Sequence, residues 1–116
     1  MRFFGYTLAS ENEPLPMPAP TPEMYEQMGA FVEEATKAGV LLATGGLAPS
    51  SMGTKISYVN GEFTVTDGPF AEAKELVGGW ALMECRDKDE AIEWTKRFLI
   101  VAGGGESRIR PVMGPD

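Results

Sequence analysis

Apolar positions recur along the chain with two different periods. In "RFFGYTLA", Arg2 to Ala9, the set Phe4, Tyr6 and Leu8 alternates with Phe3, Gly5 and Thr7. That pattern predicts a strand with apolar side chains on both faces. After the polar, proline-studded "SENEPLPMPAP", the residues Met24, Met28, Phe31, Val32 and Ala35 share one helical face. Thr21 and Pro22 suit the N-cap and first position of that helix, and Gly39 suits its stop. Gly29, inside it, costs about 1 kcal/mol relative to alanine and suggests close packing against a neighbour. "VLLATGG", Val40 to Gly46, reads as a second strand. "TKISYV" and "EFTVT" then flank Asn60-Gly61, a dipeptide favoured in tight hairpins because both turn residues need positive φ. "GGWALMECR", Gly78 to Arg86, is another strand. Asp87 and Glu90 stand at capping-box spacing before a stripe of Ala91, Trp94, Thr95, Phe98 and Ala102. Gly103 to Gly105 end that helix, and "SRIRPV" is a closing strand.

Strand, helix, strand, hairpin, strand, helix, strand is the order of an α+β, ferredoxin-like sandwich with an inserted β-hairpin. Right-handed crossovers place both helices on one face of an antiparallel sheet. The other face should then alternate with polar residues, and it does not. In "GGWALMEC", Trp80 and Leu82 point one way while Ala81, Met83 and Cys85 point the other. A face so apolar needs cover, and one chain supplies helices for one side only. The expectation is a homodimer paired through the sheet face, with residues 10–20 as the alternative cover. Loops around such a pairing would rim a crevice suited to a small molecule.

Composition narrows the chemistry. The 116 residues suit a single domain, 1–116, and the net charge of -7 disfavours nucleic acid and anionic membrane surfaces. No apolar run approaches the ~20 residues of a membrane span, and "MRFFGYTL" does not read as a signal peptide. A single cysteine, Cys85, excludes an intramolecular disulfide and fits a reducing cytoplasm. Its place in an apolar strand favours a buried, inert thiol over a nucleophile. Histidine is absent, which removes the commonest general base and the commonest transition-metal ligand together. No metal site and no cofactor are expected, and the phosphate-cradling glycine loop has no match.

The stretch "TDGPFAEAKELVGGW", residues 66–80, concentrates the remaining candidates. Structurally, Asp67 can bond backbone amides ahead of it, Gly68 tolerates positive φ, and Pro69 fixes the chain. "AEAKE" has helix-forming composition, and Gly78-Gly79 permit a close approach to another backbone. Functionally, Asp67 at a crevice mouth would be a general base toward a carbon acid or hydroxyl. Lys74, Arg108 or Arg110 would meet developing negative charge, with Glu72 and Glu75 as second carboxylates. Asp67, Pro69, Phe70, Lys74, Arg108 and Arg110 form the candidate ligand-binding set. Solvated ion pairing competes as an explanation of the charges.

"DGPFAEAKELVGGW" closely resembles the signature of the DGPF proteins, a branch of the YCII-related superfamily. "LLATGGLAP", "VNGEFTVT", "DKDEAIEW" and the terminal "IRPV" extend the likeness over nearly the whole chain. The resemblance implies a dimeric ferredoxin-like domain. Catalytic relatives in the wider superfamily include a dehydrochlorinase of aromatic degradation, similar in fold to muconolactone isomerases, which uses a histidine–aspartate pair. Matching "LLATGG" to those relatives places their histidine at about Met28, and a thioether transfers no proton. Dyad chemistry is therefore not carried over. Many DGPF proteins resemble accessory partners of extracytoplasmic-function sigma factors, which implies a protein partner in transcriptional regulation. Two functions stand as expectations: a small-molecule-binding or regulatory accessory protein, and alternatively an isomerase or lyase using Asp67 on a small cyclic substrate.

Overall fold

β1 (Arg2–Ala9) lies inside a four-stranded antiparallel sheet, paired with β5 (Leu76–Glu84) on one side and β6 (Ser107–Pro111) on the other. β2 (Leu41–Gly46) flanks β5, so the order is β2-β5-β1-β6. Helix α1 (Pro22–Lys37) joins β1 to β2, and α2 (Lys88–Ala102) joins β5 to β6. Two strand–helix–strand units interleaved in this way make the ferredoxin-like α+β sandwich. β3 (Thr54–Val59) and β4 (Glu62–Asp67) form a separate two-stranded sheet inserted between β2 and β5. The computed structural model describes residues 1–9, 21–48, 50–69 and 76–114. Among them no helix is long and apolar enough to cross a membrane.

The helix ends follow from local chemistry. Thr21 accepts the Met24 amide at 3.2 Å, and Pro22 occupies the first turn, where its missing N–H leaves nothing unpaired. Asp87 accepts the Glu90 amide at 2.9 Å, while Glu90 reaches past the cap to accept the Arg86 amide at 3.0 Å. This capping box is displaced outward by one residue. Gly103, at φ 87°, takes the left-handed turn that ends α2. Asn60 and Gly61, at φ 53° and 77°, close the hairpin as the sequence predicts. Gly29 departs from expectation: a Cβ there would meet nothing within 4 Å, so no neighbour packs against it.

Register assigns the two faces of the main sheet. Phe3 lies opposite Met83, and Gly5 opposite both Ala81 and Ile109; this set faces the helices. Phe3, Val40, Met83, Cys85 and Ala91 are buried together, with Trp94 and Ile109 packed against them. Phe3, 1% exposed, is the largest fully buried side chain, and its burial contributes roughly 2–3 kcal/mol. Phe4 lies opposite Leu82, and Tyr6 opposite Trp80, on the helix-free face. The Phe4 and Trp80 rings stack there at 6.0 Å. The sheet is thus apolar on both sides. Residues 10–20, the alternative cover, lie outside the described residues.

Candidate functional site

Between the helices and the sheet the chain leaves a cavity of about 360 Å³. Its floor is the part of the sheet where side chains are smallest. Gly5 and Ala81, opposite one another, and Gly79 nearby supply almost no bulk, whereas Phe3 and Met83 fill the same layer farther along β1 and β5. The roof is Met28, Phe31 and Val32 of α1 with Trp94 and Phe98 of α2. Phe31 holds the two helices together by ring contacts at 6.0 Å to Trp94 and 6.5 Å to Phe98. Arg97 reinforces them from outside: its guanidinium lies 4.5 Å from the Trp94 ring and 5.5 Å from the Phe31 ring, and it pairs with Glu34.

Trp80 belongs by register to the helix-free side but borders the cavity at the β2 edge. Its indole covers the main chain of Gly45, where a Cβ would stand only 3.1 Å from the ring. Any larger residue at 45 would have to displace the indole. Gly79 has a similar reason to be glycine, since a Cβ there would approach the Thr7 hydroxyl to 3.1 Å. That hydroxyl accepts the Gly79 amide at 2.9 Å where the β1–β5 register shifts.

The threonine and serine hydroxyls of the lining are already engaged. Thr44 donates to the Trp80 carbonyl at 2.8 Å, Thr95 to the Ala91 carbonyl at 2.8 Å, and Ser107 to the Tyr6 carbonyl at 3.3 Å. Among the described residues the lining holds no carboxylate, amine or guanidinium, and Tyr6, whose side chain belongs by register to the helix-free face, is its one titratable residue. Such a chamber can enclose an apolar ring between thioether and aromatic surfaces. The described lining holds no carboxylate to act as a general base.

The residues singled out by sequence fall elsewhere. Asp67 ends β4 opposite Thr54 and is exposed; Pro69, exposed as well, follows Gly68 through a cis peptide. Arg108 and Arg110 lie opposite Tyr6 and Phe4, so both stand on the helix-free face, with Arg108 3.2 Å from Glu106. None of these four lines the cavity. Phe70 and Lys74, like Glu72 and Glu75, lie outside the described residues. Met28 does line it. Cys85 is buried, and burial, followed by the Glu90 carboxylate, pushes its thiol up from the ordinary 9.0. It behaves as a core residue.

Comparison with known proteins places the chain in a family. The YCII-related domain profile matches residues 1–113. Uncharacterized protein R00369 of Rhizobium meliloti (strain 1021) is 33% identical over 69 residues, which is 60% of this chain and 56% of that protein. The match thus spans little more than half the length of that relative. Among solved structures, the fold is similar to 5-chloro-2-hydroxyhydroquinone dehydrochlorinase (TftG) from Burkholderia phenoliruptrix AC1100, in complex with 2,5-dihydroxybenzoquinone. The TM-score is 0.50 at 13% identity, over 99% of this chain and 96% of that one. At this identity the likeness is one of fold.

Proposed function

The chain belongs to the YCII-related domain family, and for it we propose a binding function: it holds a small, neutral, ring-containing molecule in the cavity between helices and sheet. The observation that carries this reading is the lining itself. At about 360 Å³ the cavity falls within the roughly 300–1,000 Å³ of small-ligand sites. Its walls are aromatic, thioether and aliphatic, and the Thr44, Thr95 and Ser107 hydroxyls donate to backbone carbonyls. A buried anion or cation would find no counter-charge among the described lining residues, so charged analogues are rejected by desolvation. Calorimetric titration with 2-naphthol against 2-naphthoate tests this. The neutral ring should bind with a negative heat-capacity change. Ala81→Leu, which fills the floor, should weaken it at least tenfold, with Met28→Leu as the volume-conserving control. Equal binding of the carboxylate, or indifference to Ala81→Leu, refutes the reading.

The regulatory part of the proposal concerns the helix-free face. Its half-buried Phe4, Tyr6, Trp80 and Leu82 suit a second copy of the chain, and a guest bordering Trp80 would be felt on that face. A protein partner in transcriptional regulation would then read the loaded state. The second reading, acid–base catalysis at Asp67 on a cyclic substrate, draws on the fold shared with an enzyme. Turnover of lactones or hydroxyquinones by the wild type, lost in Asp67→Asn, would favour it over simple binding.

A further inference from the structure

The hairpin formed by β3 and β4 has one polar and one apolar face. Its register places Ile56 opposite Val65 and Tyr58 opposite Phe63, all on one side, with Thr54 and Asp67 at the end of the same row. Lys55, Ser57, Thr64 and Thr66 occupy the other side, with Val59 and Glu62 beside the turn. The apolar row is 68%, 65%, 62% and 73% exposed at Ile56, Val65, Tyr58 and Phe63. Tyr58 and Phe63 meet edge to face at 4.7 Å, so the row is one contiguous patch. An isolated two-stranded hairpin is marginal in water, and scattered surface residues do not explain a patch of this kind.

We propose that the hairpin is an arm that lays this patch on the helix-free sheet face of a second copy, with Asp67 against the partner's Arg110. The same chain carries both halves of the match, as a two-fold pairing requires. The arm is apolar with an acid at one end. The receiving face is the row Phe4, Tyr6, Trp80 and Leu82, bordered by the exposed Arg110 opposite Phe4. Counting roughly 150–250 Å² for each aromatic side chain, one arm hides on the order of 500 Å² and covers as much again. Two arms exchanged reciprocally remove about 2,000 Å², which is the scale of a stable dimer. This inference rests on the pairing through the helix-free face proposed above and names the part of the second copy that arrives there.

Sedimentation velocity on the full chain tests it with the double variant Tyr58→Glu/Phe63→Glu and the charge reversals Asp67→Arg and Arg110→Asp. The wild type should be a dimer at micromolar concentration. The double variant should raise the dissociation constant at least 100-fold with its helical circular dichroism unchanged. Each reversal should weaken pairing about tenfold. An equimolar mixture of the two reversals should recover wild-type affinity, because both contacts in the mixed dimer again join opposite charges. A dimer indifferent to the double variant overturns the arm and leaves sheet pairing standing. A wild-type monomer overturns both. Reversals that are neutral, or that weaken pairing without recovery in the mixture, overturn the Asp67–Arg110 contact.

Discussion

Replacing Thr7 with valine exchanges one hydroxyl for a methyl group and keeps the β-branched shape. The hydroxyl accepts the Gly79 amide at 2.9 Å and lies 3.4 Å from the Gly79 carbonyl. It does so where β1 and β5 fall out of register, between the pairs Tyr6–Trp80 and Leu8–Val77. A side chain there does the work of a main-chain partner. In Thr7→Val the Gly79 N–H faces a methyl group, with Gly5 and the cavity floor on one side. An unsatisfied buried donor costs about 1–3 kcal/mol; because this site is half-buried, about 1–2 kcal/mol is expected. For a chain of this size that lowers Tm by roughly 3–10 °C, with the urea m-value unchanged. The control is Thr44→Val. Its hydroxyl donates to the Trp80 carbonyl at 2.8 Å in an exposed position, where water can replace it, so the loss should be only about 0.5 kcal/mol. Both variants are melted at the same protein concentration, since pairing would add its own term. If Thr44→Val is as damaging as Thr7→Val, the account of the register shift is wrong.

Asp87→Ala removes the acceptor of the Glu90 amide at the start of α2 and should cost about 1 kcal/mol in urea unfolding. The Cys85 thiol, raised above 9.0 by burial and by Glu90, holds its proton more tightly folded than unfolded. Its contribution is therefore complete below the unfolded value and lost as pH climbs toward the folded one. Stability should decline above about pH 9 in the wild type, and less steeply in Cys85→Ala; equal slopes would contradict the assignment. Arg97→Ala removes the cation over Trp94 and Phe31 and its pairing with Glu34, both at the surface. A loss of about 1 kcal/mol is expected, part of it erased by high salt in the wild type.

Much of the fold is legible in the amino-acid order because its signals are local. Thr21, Asp87 and Gly103 cap helices through contacts within a few residues, and Asn60-Gly61 sets the turn of the hairpin by its own backbone preference. The doubly apolar character of β1 and β5 is equally plain in Phe3, Phe4, Trp80 and Met83. What periodicity does not announce is the cavity. Gly5 and Ala81 read as unremarkable strand residues, and Gly79 only as a point of close backbone approach, until register brings them together, and that register turns on the shift at Thr7. The spacing between layers is not written in any one segment. Gly29 shows the converse, since a glycine in a helix suggests a close neighbour only when something stands opposite it. Asp67 drew attention through its Gly-Pro setting, yet its place at the base of the hairpin depends on the two strands before it.

The floor at Gly5, Gly79 and Ala81 is made by leaving atoms out. A hollow of that kind needs no special loop and no strained turn. Its contour can be redrawn one methyl group at a time, at Ala81 in particular, while the strands keep their pairing. Under the binding role proposed above, selectivity would change through substitutions too small to disturb how the chain folds.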